Sequence, residues 1–312
     1  MRTRSITCDD LAASVMAVPP LARHADLSFN PAANAALIRH LEAGGVTTLL
    51  YGGNANFYNI GLYEYAEILE ALTGLAAPDT WIIPSVGPDF GKMLDQARLL
   101  RGSRFPTAMA LPLTFPATVA GVATGLRRLA EALARPIIVY VKAEAYLTPE
   151  AVKMLVDDGL VAGIKYAIVR SDPAQDAFLT RLTDLMDPRS IVSGIGERPA
   201  VAHLRDFGLN GFTSGSVCVA PRGSTRLLEA CQRKDWETAA RIRARYLPLE
   251  DCRDAYSPIR VLHEAVSLAG IADMGPILPL LSNLEAEHHE RVRQAAVALL
   301  EADRALGAAA VA

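Results

Sequence analysis

Short apolar runs alternate with longer stretches of helical periodicity along nearly the whole chain. Eight runs have the length and apolar character of buried strands, at 13–18, 47–51, 81–86, 107–111, 136–140, 161–166, 190–193 and 211–214. Each precedes a segment with apolar residues at helical spacing, at 32–43, 63–74, 90–101, 118–134, 148–158, 173–186, 198–207 and 222–233. Asn30-Pro31, Thr148-Pro149, Asp172-Pro173 and Ala220-Pro221 predict helix starts, where the N–H that proline lacks has no intrahelical partner anyway. Gly44-Gly45, Gly159 and Gly208 predict helix exits. Strands alternating with helices imply a parallel sheet, and eight units are enough to close an α/β fold of the (β/α)8 TIM-barrel type.

The residues after the eighth helix are helical in pattern to about Leu306, with no Gly-, Ser- or Pro-rich spacer before them. They predict three further helices packed on the barrel flank or used between subunits. The expected organisation is a barrel over 1–233 and a C-terminal helical segment over 234–312.

Composition narrows the classes of function. A chain of 312 residues with 51% hydrophobic and 21% charged residues can bury a large core and has no disordered character. Its 31 basic and 34 acidic residues are interspersed, leaving no electrostatic footprint for nucleic acid or an anionic membrane. Cys8, Cys218, Cys231 and Cys252 lack zinc-site spacing and disulfide-scaffold density, so reduced thiols in a cytoplasm are expected. No apolar leader core precedes Asp9-Asp10, and no uninterrupted apolar run approaches membrane-spanning length.

The chemistry concentrates on two strand ends. Tyr140 closes the fifth strand and Lys165 lies near the end of the sixth, so a barrel would present both side chains to one pocket. An amine held there against apolar walls loses hydration, its pKa falls, and a neutral nucleophile becomes available to attack a ketone. The tyrosine hydroxyl would move protons as the carbinolamine loses water. A lone lysine at a strand end more often caps the strand and snorkels to solvent; the neighbouring tyrosine and the barrel pattern together favour Schiff-base chemistry. The turn Gly52-Gly53-Asn54-Ala55-Asn56 after the second strand reads either as a backbone N–H cradle for a carboxylate or as a loop whose glycines serve only its geometry. Ser193 after strand seven and Ser214 after strand eight add hydroxyls on the same rim. Gly194-Ile195-Gly196 is too short for a dinucleotide fingerprint, and no phosphate-binding Gly/Lys loop, nucleophile elbow or spaced His ligand set occurs. His288 and His289 lie among Glu285, Glu287 and Glu290, as on a solvated helix face.

These residues resemble the dihydrodipicolinate synthase / N-acetylneuraminate lyase superfamily, Schiff-base aldolases and dehydratases built on a β/α barrel. The resemblance rests on Tyr140, on Gly163-Ile164-Lys165, on the turn from Gly52, on Gly211-Phe212-Thr213-Ser214 with Pro221 following, and on the order of the eight units. It implies that Lys165 forms the imine with a 2-oxo acid and that Tyr140 relays protons. It further implies that no cofactor or metal is needed and that the chain assembles as a homodimer or homotetramer, an assembly for which the tail's apolar faces also argue. The stretch 140–148 is most similar to 5-dehydro-4-deoxyglucarate dehydratases, with Val141 and Lys142 in place of an Asn-Arg pair.

Three departures separate the chain from the synthases. The family turn carries threonines where this one has Gly53-Asn54-Ala55-Asn56. The segment after strand four, Leu111-Pro112-Leu113-Thr114-Phe115-Pro116, lacks the tyrosine that synthases lend across a subunit interface. The arginine expected shortly after the strand-five tyrosine is absent, leaving Lys142 as the nearby cation. The sequence therefore predicts a lyase acting on a 2-oxo acid, with sugar-derived 2-oxo acids among the candidates. Its rival is a barrel that has lost turnover and binds a 2-oxo acid as a sensor.

Overall fold

A computed structural model describes residues 1–308. Eight parallel strands close into a barrel in sequence order: β1 (Met16–Ala17), β2 (Thr48–Tyr51), β3 (Trp81–Val86), β4 (Met109–Ala110), β5 (Ile137–Val141), β6 (Val161–Tyr166), β7 (Ile191–Ser193) and β8 (Gly211–Ser214). β8 returns to β1 through Met16 opposite Thr213 and Ala17 opposite Ser214. Every predicted run thus overlaps a strand, although β1 and β4 are shorter than their apolar patterns and β5 runs one residue past its own, to Val141. Side chains take over where those ladders stop. Ser14 Oγ accepts the Thr47 N–H at 2.9 Å, and Pro136, which has no N–H to give, accepts the Thr107 hydroxyl at 2.8 Å.

Helix ends follow from local chemistry. Asn30, Asp89, Thr118 and Thr148 each accept a backbone N–H at the start of the helix they precede. Gly159 and Gly208 turn the chain out of the helices that precede β6 and β8 with φ near +70°, a conformation that suits glycine. One predicted start moves. Asp172 folds a turn by accepting the Ala174 N–H, and the helix begins only at Ala177 (Ala177–Leu185), capped by Asp176. Asp176 also accepts from Tyr166 and Arg170, so tertiary partners select it over the Asp-Pro signal.

An N-terminal helix, Cys8–Ala12, was not evident in the apolar pattern; it is held by a capping box between Thr7 and Asp10. Leu11 packs beneath β6 and β8 so closely that a Cβ at Gly211 would lie 2.8 Å from its carbonyl oxygen.

The tail holds four helices rather than three, Trp236–Ala244, Leu247–Ala255, Pro258–Leu268 and Ala286–Ala308, with a non-helical strap over 269–285. Gly270, Gly275, Pro276 and Pro279 break the helical pattern there. The strap is fastened to the barrel, since Met274 O accepts the Arg23 N–H at 3.0 Å and Leu278 O accepts the Asn56 amide at 3.3 Å. The apolar faces of the tail are covered within the chain: Leu249, Val261, Val266, Val292, Leu299 and their neighbours are buried. Leu280 is its one large exposed apolar residue among those described, which removes the tail-based argument for assembly.

Candidate active site

Parallel pairing puts Tyr140 of β5 directly opposite Lys165 of β6. The period-two alternation of strands sends Lys165 into the barrel mouth and Tyr166 outward, where its ring stacks on Phe178 at 6.0 Å between centroids. Lys165 is 4% exposed and its Nζ lies 4.4 Å from the centroid of the Tyr140 ring. Burial lowers the pKa of the amine to about 7, with the charge of Lys142 adding to the effect. Burial also pushes the Tyr140 phenol well above its ordinary value.

A cavity of about 280 Å³ opens over Lys165 at the carboxyl ends of the strands. Tyr140, Gly53, Asn54 and Tyr58 line it from one side; Gly194, Gly196, Thr213 and Gly215 line it from the loops after β7 and β8. The helices Leu247–Ala255 and Pro258–Leu268 complete the lining with Arg253 and Leu262, and Ser257 joins it from the link between them.

The predicted turn divides into parts with different surroundings. Gly53 and Asn54 face the cavity, and neither of their N–H groups donates to an acceptor among the described residues. Asn54 is fixed by its amide, which donates to Val18 O at 2.8 Å. Gly52 lies deeper, where a Cβ would approach Ser85 Oγ to 2.6 Å. Ala55 and Asn56 point away into a separate small void beneath the strap, where Asn56 donates to Leu278 O at 3.3 Å.

Ser193 and Ser214 are not on the rim. Both face outward between strands and helices, Ser193 Oγ 2.8 Å from His203 Nδ1 and Ser214 donating to Glu197 at 2.8 Å. Alternation explains the error: their neighbours Gly194 and Thr213 occupy the inward positions. Reading β8 in the register that sends one residue in and the next out would have selected Thr213. Tyr58, Arg253 and Leu262 had no such signal, because a loop end and a distant helix pair reach the mouth only after folding.

Among the described residues no group of three His, Cys, Asp or Glu side chains is placed to hold a metal ion, and no helix is long and apolar enough to cross a membrane.

The model of the dihydrodipicolinate synthetase family matches residues 14–299. A 4-hydroxy-tetrahydrodipicolinate synthase from Alkalilimnicola ehrlichii is 26% identical over 263 residues, 82% of this chain and 87% of that one. A probable 5-dehydro-4-deoxyglucarate dehydratase from Streptomyces coelicolor is 24% identical, over 85% of this chain and 80% of its own length. Among solved structures, dihydrodipicolinate synthase from Oceanobacillus iheyensis superposes with a TM-score of 0.81 at 21% identity, covering 92% of this chain and 96% of that one. A prophage protein of the same family from E. coli K12, solved in complex with pyruvate, gives 0.79 at 21% identity over 93% and 98% of the two chains.

Proposed function

The chain belongs to the dihydrodipicolinate synthetase family and is a Schiff-base-forming lyase acting on a 2-oxo acid; we propose that its imine forms at Lys165, with Tyr140 as proton relay. The observation that carries this assignment is the buried Lys165 amine, opposite Tyr140 and with its pKa lowered to about 7. At neutral pH a large share of it is unprotonated. Its lone pair attacks the C2 carbonyl and the carbonyl π pair moves to oxygen; that oxygen takes two protons in turn, one of them shed by the nitrogen, and leaves as water while the nitrogen lone pair forms the C=N bond of the iminium. The tyrosine hydroxyl stands beside this exchange. The iminium then withdraws the electron pair released when a bond to the substrate's tail breaks, or when a proton leaves C3.

The free N–H groups of Gly53 and Asn54 support a role in holding the 2-oxo carboxylate, as donors that pay no reorganisation cost when the charge arrives. Tyr58 adds a second, partly buried phenol at the cavity, its pKa raised to about 12 by loss of hydration, in a chain without the bridging tyrosine of the synthases. We assign it the second place in the relay. A cavity of about 280 Å³ is at the small end of ligand pockets, which run from roughly 300 to 1,000 Å³, and favours a compact substrate. The binding-only reading is not favoured.

Assembly as a homodimer or homotetramer belongs to the same proposal, and its surface is the apolar groove of about 870 Å³ lined by Phe90, Leu113, Phe115 and Val122. Phe115 is 85% exposed and Phe90 50%, an exposure costly for a monomer. Cytoplasmic location is proposed on the four free thiols.

Borohydride reduction in the presence of pyruvate, followed by peptide mass analysis, tests the mechanism. A reduced adduct on the Lys165 peptide is expected. An unmodified peptide, under conditions that trap a pyruvate imine in a Schiff-base aldolase run alongside, overturns the assignment.

A further inference from the structure

We infer that the cavity carries a second anion site at Arg253, which takes the far oxyanion of a doubly charged 2-oxo acid, a carboxylate or a phosphate. The inference rests on the reading that Lys165 holds the 2-oxo end. Once Lys165 carries the iminium charge, it, Lys142 and Arg253 face one acidic lining residue, Asp254, more positive charge than a single substrate carboxylate matches. The cations are also spread apart. Lys142 follows β5, whereas Arg253 lies against the loop after β7, so they flank Lys165 of β6 on opposite sides.

Arg253 is built into place. It is 6% exposed, its Nη1 donates to Ile195 O at 2.6 Å and to Glu250 Oε1 at 3.1 Å, and its Nε donates to Asp254 at 2.9 Å. Nη2 has no partner among the described residues. It is not sealed in either, unlike the Nη2 of Arg23, which is both buried and unpartnered. A guanidinium fixed by three bonds and holding one nitrogen in reserve suits an oxyanion, because little side-chain freedom is lost on binding. Asp254 does not cancel it, since Arg198 Nε, 3.3 Å away, shares that carboxylate. Glu250 and the nearby Glu197 are both buried, which raises their pKa values and weakens their negative charge. Gly196 makes room for the cluster: a Cβ there would lie 2.7 Å from Arg253 Nη1 and 2.2 Å from Glu250 Oε1.

Calorimetric titration of the full chain with 2-oxoadipate and with 2-oxohexanoate compares a charged with an uncharged tail of equal length. Titration with a 3-deoxy-2-oxo sugar acid and its 6-phosphate supplies the phosphate arm. The wild type should bind at least one charged-tail ligand about tenfold or more tightly than its uncharged counterpart, and the larger preference identifies the oxyanion. Arg253→Gln should abolish the preference, and Arg253→Lys, which keeps a cation against Glu250, should reduce it should the first variant fold poorly. Equal affinities in the wild type, or a preference unchanged in the folded variants, overturn the anion site. Borohydride trapping of pyruvate on the wild type is read separately: an adduct at Lys165 without a tail preference sinks the anion site alone, and a tail preference without an adduct sinks the imine alone.

Discussion

Lys165 presents its ammonium to the face of the Tyr140 ring, 4.4 Å from the centroid, with no hydrogen bond to the phenol oxygen. The π face favours the charged amine while burial disfavours it, and burial is the larger influence on Lys165. A hydroxyl that does not already bind the amine remains available for the carbinolamine oxygen, the atom that must gain a proton before water leaves. Replacement Lys165→Met should therefore eliminate both the borohydride adduct and turnover. It should leave the melting temperature equal or higher, because it removes a buried amine at similar volume. A large fall in melting temperature would instead mark Lys165 as structural.

The pH dependence follows from the same residue. With a folded pKa of about 7 against an ordinary 10.5, the nucleophile is lost to protonation as pH falls through 7, so the rate of imine formation should rise with pH across that value. Stability is linked with the same sign. Between about pH 7 and 10.5 the unfolded chain binds the proton that the folded chain has released, so this group makes stability rise with pH over that window. Below it, both states are protonated and the penalty of the buried charge is complete. Denaturant midpoints across the window, compared between wild type and Lys165→Met, should show a pH slope that the variant lacks.

Tyr140→Phe and Tyr58→Phe each remove a hydroxyl from the cavity while keeping the ring. Each should lower kcat by about a hundredfold or more. KM should change little, because a relay acts mainly in the transition state. A Tyr58→Phe enzyme with wild-type kcat would leave Tyr140 as sole relay.

The barrel was legible because its units repeat one local rule, an apolar run followed by a helical period, and every predicted run overlaps a strand. Lys165 and Tyr140 were legible because adjacent parallel strands of known order must set their ends side by side. Ser193 and Ser214 failed because the end of a short strand does not reveal which residue faces in; their hydroxyls serve His203 and Glu197 instead. The turn was half legible. Gly53 and Asn54 reach the cavity, but the strap at Leu278 draws Asn56 away, and that contact spans 222 positions of sequence. Arg253 belongs to the same class, a side chain placed by a tail that in sequence shows only helical periodicity.

Phe115→Asp puts a charge on the exposed groove without touching the core or the cavity. Light scattering should show the wild type as a dimer or tetramer and the variant with a smaller mass. A wild type that is monomeric at micromolar concentration would end the proposal, and the groove would then need another occupant.

The chain should not condense pyruvate with aspartate semialdehyde at a useful rate, even though a relative at 26% identity bears the synthase name. The turn that faces the cavity offers Gly53 and Asn54 with no hydroxyl, and the segment after β4 offers Thr114 and an outward Phe115 where the synthases lend a tyrosine. Lys142 is the cation that follows Tyr140 in the chain, a point charge without the two-pronged grip of an arginine. Loss of one relay partner commonly lowers a rate by about a hundredfold or more, and two relay groups differ here. A coupled assay for the condensation product, run beside deoxy-sugar 2-oxo acids, should give turnover only with the latter. Efficient condensation by the wild type would mean that Tyr58 alone replaces both missing hydroxyls, and Tyr58→Phe would then have to abolish it.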